Sequence, residues 1–70
     1  MDAPVQLTVN GDPRDFADGT TVADLVAALG LANERVAVEV NRQLVRRATW
    51  PEATLREGDV VEVVHFVGGG

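Results

Sequence analysis

The segment "HFVGGG" gathers the few residues of this 70-residue chain that invite a chemical reading: His65, the only histidine, and Gly68, Gly69 and Gly70. A histidine can shuttle protons, but a solitary one near a strand end is as a rule structural, and no catalytic role is expected of His65. Glycines offer no side chain, so the three are either slack at a frayed end or an arm that carries something. They follow directly on a segment that reads as a buried strand, and this position favours the arm. The rest of the inventory is poor in chemistry. Cysteine, serine, lysine and tyrosine are absent, which excludes a thiolate cluster, a disulfide framework, a redox pair and most nucleophiles and general acids. One histidine excludes a multi-histidine metal site. Self-contained catalysis is not expected. The fragments "NGD" and "EGD" look like pieces of metal loops, yet each offers too few oxygen ligands at the wrong spacing for calcium, and turns explain them. Arg42, Arg46 and Arg47 form a small basic cluster, expected to be solvated, with orientation of an acidic partner as the functional alternative.

The elements that position these residues follow from periodicity. In "VQLTV", Val5, Leu7 and Val9 alternate with Gln6 and Thr8 as in a half-buried strand. Asn10-Gly11 is a strong hairpin signal because both residues tolerate the positive φ of a type I′ turn, so residues 13–17 should return antiparallel with Phe16 toward the core. In "TTVADLVAALG", Val22, Leu25, Val26 and Leu29 fall at i, i+3, i+4 and i+7, predicting a helix from about Val22 to Leu29. Thr21 is placed to cap it, Asp24 completes a capping box and Gly30 supplies a left-handed exit. "RVAVEVN" puts Val36, Val38 and Val40 on one face, and Asn41 turns the chain into a further strand, "QLV". "RRATWPEATL" reads as an irregular stretch or a single helical turn with Trp50 as a core plug, and "REGDV" as a tight turn. In "VVEVVHFV" a lone glutamate should not face a small core, so Val61 and Val63 point inward, leaving Glu62, Val64 and Phe66 on the outer face.

A hairpin, one main helix and further strands in this order predict an α+β fold of the β-grasp type, a mixed sheet of about five strands packed on the helix. Residues 1–67 are expected to form the domain and residues 68–70 a flexible tail. The chain is 46% hydrophobic and 24% charged, the balance of a folding domain rather than a disordered tail. Its net charge of −5 disfavours nucleic acid or an anionic membrane as a partner and favours a basic one. No apolar run is long enough to span a bilayer, and "MDAPVQL" lacks the basic and apolar regions of a signal peptide, so a cytoplasmic location is expected.

Over essentially its whole length the sequence resembles the ThiS-type sulfur carriers of thiamin biosynthesis. The resemblance is carried by "LTVNGD", the helix after "GTTV", "VAVEVNRQLVRR" followed by "W", the turn "EGDVVEVV" and the terminal Gly-Gly. It implies a ubiquitin-like β-grasp fold shared with MoaD, the carrier of molybdopterin synthesis. It also implies that the chain is no enzyme and binds no cofactor, but is a co-substrate. A ThiF-like adenylyltransferase would use ATP to adenylate the carboxylate of Gly70. A cysteine desulfurase or sulfur relay would supply sulfur to form a thiocarboxylate, and a ThiG-like thiazole synthase would take that sulfur into the thiazole ring. Gly69 and Gly68 would be the tail, with Gly68 assigned to reach because the family keeps only the last two glycines strictly.

Glycine suits such chemistry because a terminus that must lie in a narrow channel beside a nucleotide gains from having no Cβ and a wide range of backbone angles. Adenylation itself replaces an oxyanion by a good leaving group, which turns a poor electrophile into one a sulfur nucleophile can attack. Val64 and Phe66, predicted outward and next to the tail, are the expected partner-docking residues, against the alternative that the segment around Trp50 covers them. Rival functions are a MoaD-like carrier for molybdopterin or another sulfur metabolite, a ubiquitin-like modifier attached through Gly70, and a β-grasp interaction domain whose glycines are inert.

Overall fold

A computed structural model of the chain describes residues 3–66. Strands β1 (Val5–Val9) and β2 (Asp12–Phe16) are followed by helix α1 (Val22–Ala28). Strands β3 (Val36–Val40) and β4 (Gln43–Val45), a 3₁₀ helix (Arg47–Glu52) and strand β5 (Val60–His65) complete the order. One five-stranded mixed sheet has the order β2-β1-β5-β3-β4. The last strand is thus the central one, parallel to β1 and antiparallel to β3. This is the β-grasp arrangement read from the sequence.

Local chemistry accounts for the elements. Asn10 and Gly11 both take positive φ, 50° and 87°, as the type I′ turn requires. The return strand starts one residue earlier than expected, at Asp12, because a two-residue turn lets pairing resume immediately, Val9 opposite Asp12. Phe16 ends this edge strand half-buried, packed against the rim of the core rather than inside it. At the helix start, the Asp24 amide donates to Thr21 Oγ1 (3.2 Å) and the Thr21 amide to Asp24 Oδ2 (3.0 Å), a complete capping box. The helix ends at Ala28, one residue inside the expected end, with Leu29 as its C-cap and Gly30 following at φ +76°.

The helix buries Val22, Leu25 and Val26 against the inward rows of the sheet. Leu7, Val38 and Val61 have no exposed surface, and Val5, Val9, Val36 and Val63 extend the same core. Trp50 and Leu55 close the side that the helix leaves open. The Trp50 ring is capped by the Arg47 guanidinium, 4.8 Å from its centroid, a cation–π contact. Its Nε1–H donates to the Val45 carbonyl at 2.9 Å. No helix among the described residues is long and apolar enough to cross a membrane.

The β3–β4 turn is less comfortable than the first, with Asn41 at φ 52° and Arg42 at φ 72°. Asparagine tolerates this region, but for arginine the left-handed conformation costs on the order of 1 kcal/mol. Arg42→Gly is therefore expected to stabilise the domain by roughly 0.5 kcal/mol once glycine's larger unfolded-state entropy is deducted, and to raise Tm by a few degrees. A thermal melt showing a lower Tm would mean that the Arg42 side chain contributes more than its backbone costs.

Candidate functional site

The strand that leads to Gly68 is locked in the middle of the sheet. Val61 and Val63 face the core, at 0% and 7% exposure, so Val60, Glu62 and Val64 must face out. Val64 is 56% and Phe66 64% exposed, as expected of docking residues, and Trp50 turns its ring into the core instead of covering them. Gly68, Gly69 and Gly70, the expected reactive tail, lie outside the described residues.

Register extends the outer face beyond the two residues expected. Ala37 stands opposite Val64 and Glu39 opposite Glu62 across β3 and β5, and Leu44 stands beside Glu39 on β4. Among the described residues the exposed large hydrophobic side chains are Leu44, Val60, Val64 and Phe66, and alternation puts all of them on this one face. Leu44 and Val60 were accessible to the same alternation argument that assigned Val64; the signal was there in "QLV" and "DVVEV". Glu39 and Glu62 are like charges directly opposite each other, an arrangement that costs on the order of a few tenths of a kcal/mol.

Two asparagines hold β5 in place. The Val63 amide donates to Asn10 Oδ1 (2.8 Å) and Asn10 Nδ2 donates to the Val63 carbonyl (3.3 Å), so one carboxamide continues the β1–β5 ladder past the end of β1. Asn41 does similar work on the other side, accepting from the Val60 amide at 2.9 Å while its Nδ2 donates to Asp59 Oδ1 at 2.9 Å. Both residues had been assigned to turns alone. Their second role depends on contacts 53 and 19 positions away, which no local pattern announces.

His65 sits across from Val36 with Nε2 3.8 Å from Glu34 Oε1. Both side chains are more than half exposed, and a surface pair of this kind contributes little. The arginine cluster divides. Arg47 is not simply solvated: besides covering Trp50 it donates to the carbonyls of Ala32 (3.0 Å) and Glu34 (3.4 Å), tying the loop before β3 to the 3₁₀ helix. Arg42 and Arg46 remain exposed.

Comparison with known proteins gives a consistent picture. The family model described as "ThiS family" matches residues 7–70. A sulfur carrier protein ThiS from Bacillus subtilis is 42% identical over 65 residues, 91% of this chain and 98% of that protein. A thiazole synthase from Magnetococcus marinus is 46% identical over 66 residues, but the chain spans only 20% of its length. Among solved structures, a thiamine biosynthesis protein (ThiS) from Geobacter metallireducens superimposes with a TM-score of 0.82 at 38% identity, covering 94% of this chain and all of that one.

Proposed function

The chain belongs to the ThiS family, and from that premise we propose that it is a sulfur carrier of thiamin biosynthesis whose cargo is borne on the α-carboxylate of Gly70. The observation that supports this most directly is that the family match runs through Gly68, Gly69 and Gly70, in continuation of the central strand β5. The relatives named as sulfur carrier proteins agree with a carrier that is a co-substrate rather than an enzyme.

In this reading the Gly70 carboxylate attacks the α-phosphorus of ATP held by a ThiF-type adenylyltransferase, and pyrophosphate leaves. A hydrosulfide, released from the persulfide of a desulfurase or relay by a thiol that is itself oxidised to a disulfide, then attacks the acyl carbon and AMP departs, leaving a thiocarboxylate. A thiazole synthase consumes it; that a relative named thiazole synthase contains a stretch matching this chain supports such a partnership. The protein contributes the carboxylate, a tail free of side chains and a rigid base. The three steps run in the cytoplasm, where ATP and cysteine are at hand.

The test is intact mass after incubation with a ThiF-type adenylyltransferase, ATP and a sulfur source. Exchange of one oxygen for sulfur is the expected result. Covalent adducts with other proteins would instead make the chain a modifier, and an unchanged mass would reduce it to an inert β-grasp domain.

Docking beside the tail makes a separate expectation. Val64→Gln with Phe66→Gln should weaken binding to the adenylyltransferase by roughly tenfold or more, since exposed apolar residues at the centre of an interface carry much of its energy. Tm should hardly change, because neither side chain belongs to the core. A large drop in Tm would mark them as structural.

A further inference from the structure

The outer face of the sheet carries a second feature besides its apolar residues. Glu39 and Glu62 are Cα partners on β3 and β5, flanked on the same face by Leu44, Val64 and Val60. Arg42, three positions after Glu39 in sequence, lines a shallow depression of about 400 Å³ together with Asn41, Val60 and Glu62. Yet neither glutamate forms an ion pair among the described residues, where the one pair present is His65 with Glu34. The face therefore sets two facing carboxylates, left unpaired, within apolar surface.

Resting on the carrier function proposed above, we propose that this face is read by the adenylyltransferase through an apolar surface bearing one guanidinium or ammonium group, seated between Glu39 and Glu62. Cross-strand partners are about 5.5 Å apart at Cα, close enough for two carboxylates to share one planar guanidinium with its several donors. Charge complementarity selects this occupant. An apolar face alone would accept many surfaces, but a partner lacking the cation would bury two like charges without compensation, so the pair rejects wrong partners as well as attracting the right one. The same argument sets the face apart from a lipid or nucleic-acid contact, whose anionic groups the glutamates repel. The face runs along β5 to Phe66, the last described residue, four positions before Gly70 in sequence.

The experiment measures Kd for the ThiF-type adenylyltransferase at several salt concentrations, with thermal melts alongside. Glu39→Gln with Glu62→Gln should weaken binding roughly tenfold and flatten its salt dependence, with Tm unchanged or raised. The sharper variant is Glu62→Arg, which creates an opposite-charge pair with Glu39 across the strands. It should raise Tm while lowering affinity further than the double glutamine variant, a combination that damage to the fold cannot produce. Wild-type affinity in either variant overturns the proposal. So does salt-sensitive self-association of the wild type that both variants abolish, since the occupant would then be a second copy offering its own Arg42 or Arg46. If the wild type gains sulfur normally and only the variants fail to differ from it, the carrier function stands and this reading of the face falls. If the wild type neither binds nor gains sulfur, the carrier function fails and this proposal with it.

Discussion

Gly70→Ala and Gly69→Ala are each expected to slow thiocarboxylate formation by roughly a hundredfold, the scale on which a displacement of about 1 Å at a reacting centre is felt. A methyl group at either position must find room beside the nucleotide and restricts the backbone angles open to the terminus. At Gly70 it also flanks the carbonyl that sulfur attacks. Folding should be indifferent, because the core of the described residues is complete by Val63. Gly68→Ala should cost far less, since the proposed function assigns this position to reach alone. Single-turnover formation of the adenylate and of the thiocarboxylate, followed by mass, separates the steps, and equal rates for wild type and both variants would remove the tail from the chemistry.

Trp50→Ala carries the largest expected effect on stability. Trp50 is 5% exposed, in a core otherwise made of valine and leucine. Its removal leaves a cavity costing about 3–5 kcal/mol. It also strands the Val45 carbonyl that accepts from Nε1–H and uncovers Arg47. A domain of this size has a total stability of only about 3–5 kcal/mol, so the variant should be largely unfolded in buffer. Trp50→Phe keeps much of the volume but loses the hydrogen bond, and should cost about 1–3 kcal/mol. Urea titrations check both. A loss below about 1 kcal/mol for the alanine variant would mean that neighbouring residues collapse into the space.

Most of the fold was legible because it is written in short-range chemistry. The positive φ at Asn10-Gly11, the reciprocal cap between Thr21 and Asp24 and the left-handed Gly30 each involve residues within a few positions of one another. The inward set of β5 followed from a single residue, Glu62, which could not face the core. What stayed hidden depends on distant partners or on arrangement across strands. Arg47 looked like one of three solvated cations, yet the neighbouring carbonyls of Ala32 and Glu34 and the ring of Trp50 come together only in the folded loop. Asn10 and Asn41 looked like turn residues and nothing more, because their carboxamides meet β5 only once the strands are assembled. The Glu39–Glu62 pair required the register of β3 against β5. Of the site itself, the outward turn of Val64 and Phe66, and equally of Leu44 and Val60, lies in the alternation, while their union into one face needs the sheet order.

The central position of the last strand also bears on how the molecule comes into being. Without β5 the chain holds two hairpins, β1–β2 and β3–β4, with no backbone ladder between them, and an isolated hairpin is marginal in water. Chains are made from the amino terminus, so the sheet cannot close until translation has passed His65, and its parallel pairing with β1 joins residues as distant as Thr8 and Val60. A nascent or cleaved chain that stops short of β5 would stay open to proteases. Foldedness thus reports on length: any molecule compact enough to persist already holds the strand that leads into the glycines.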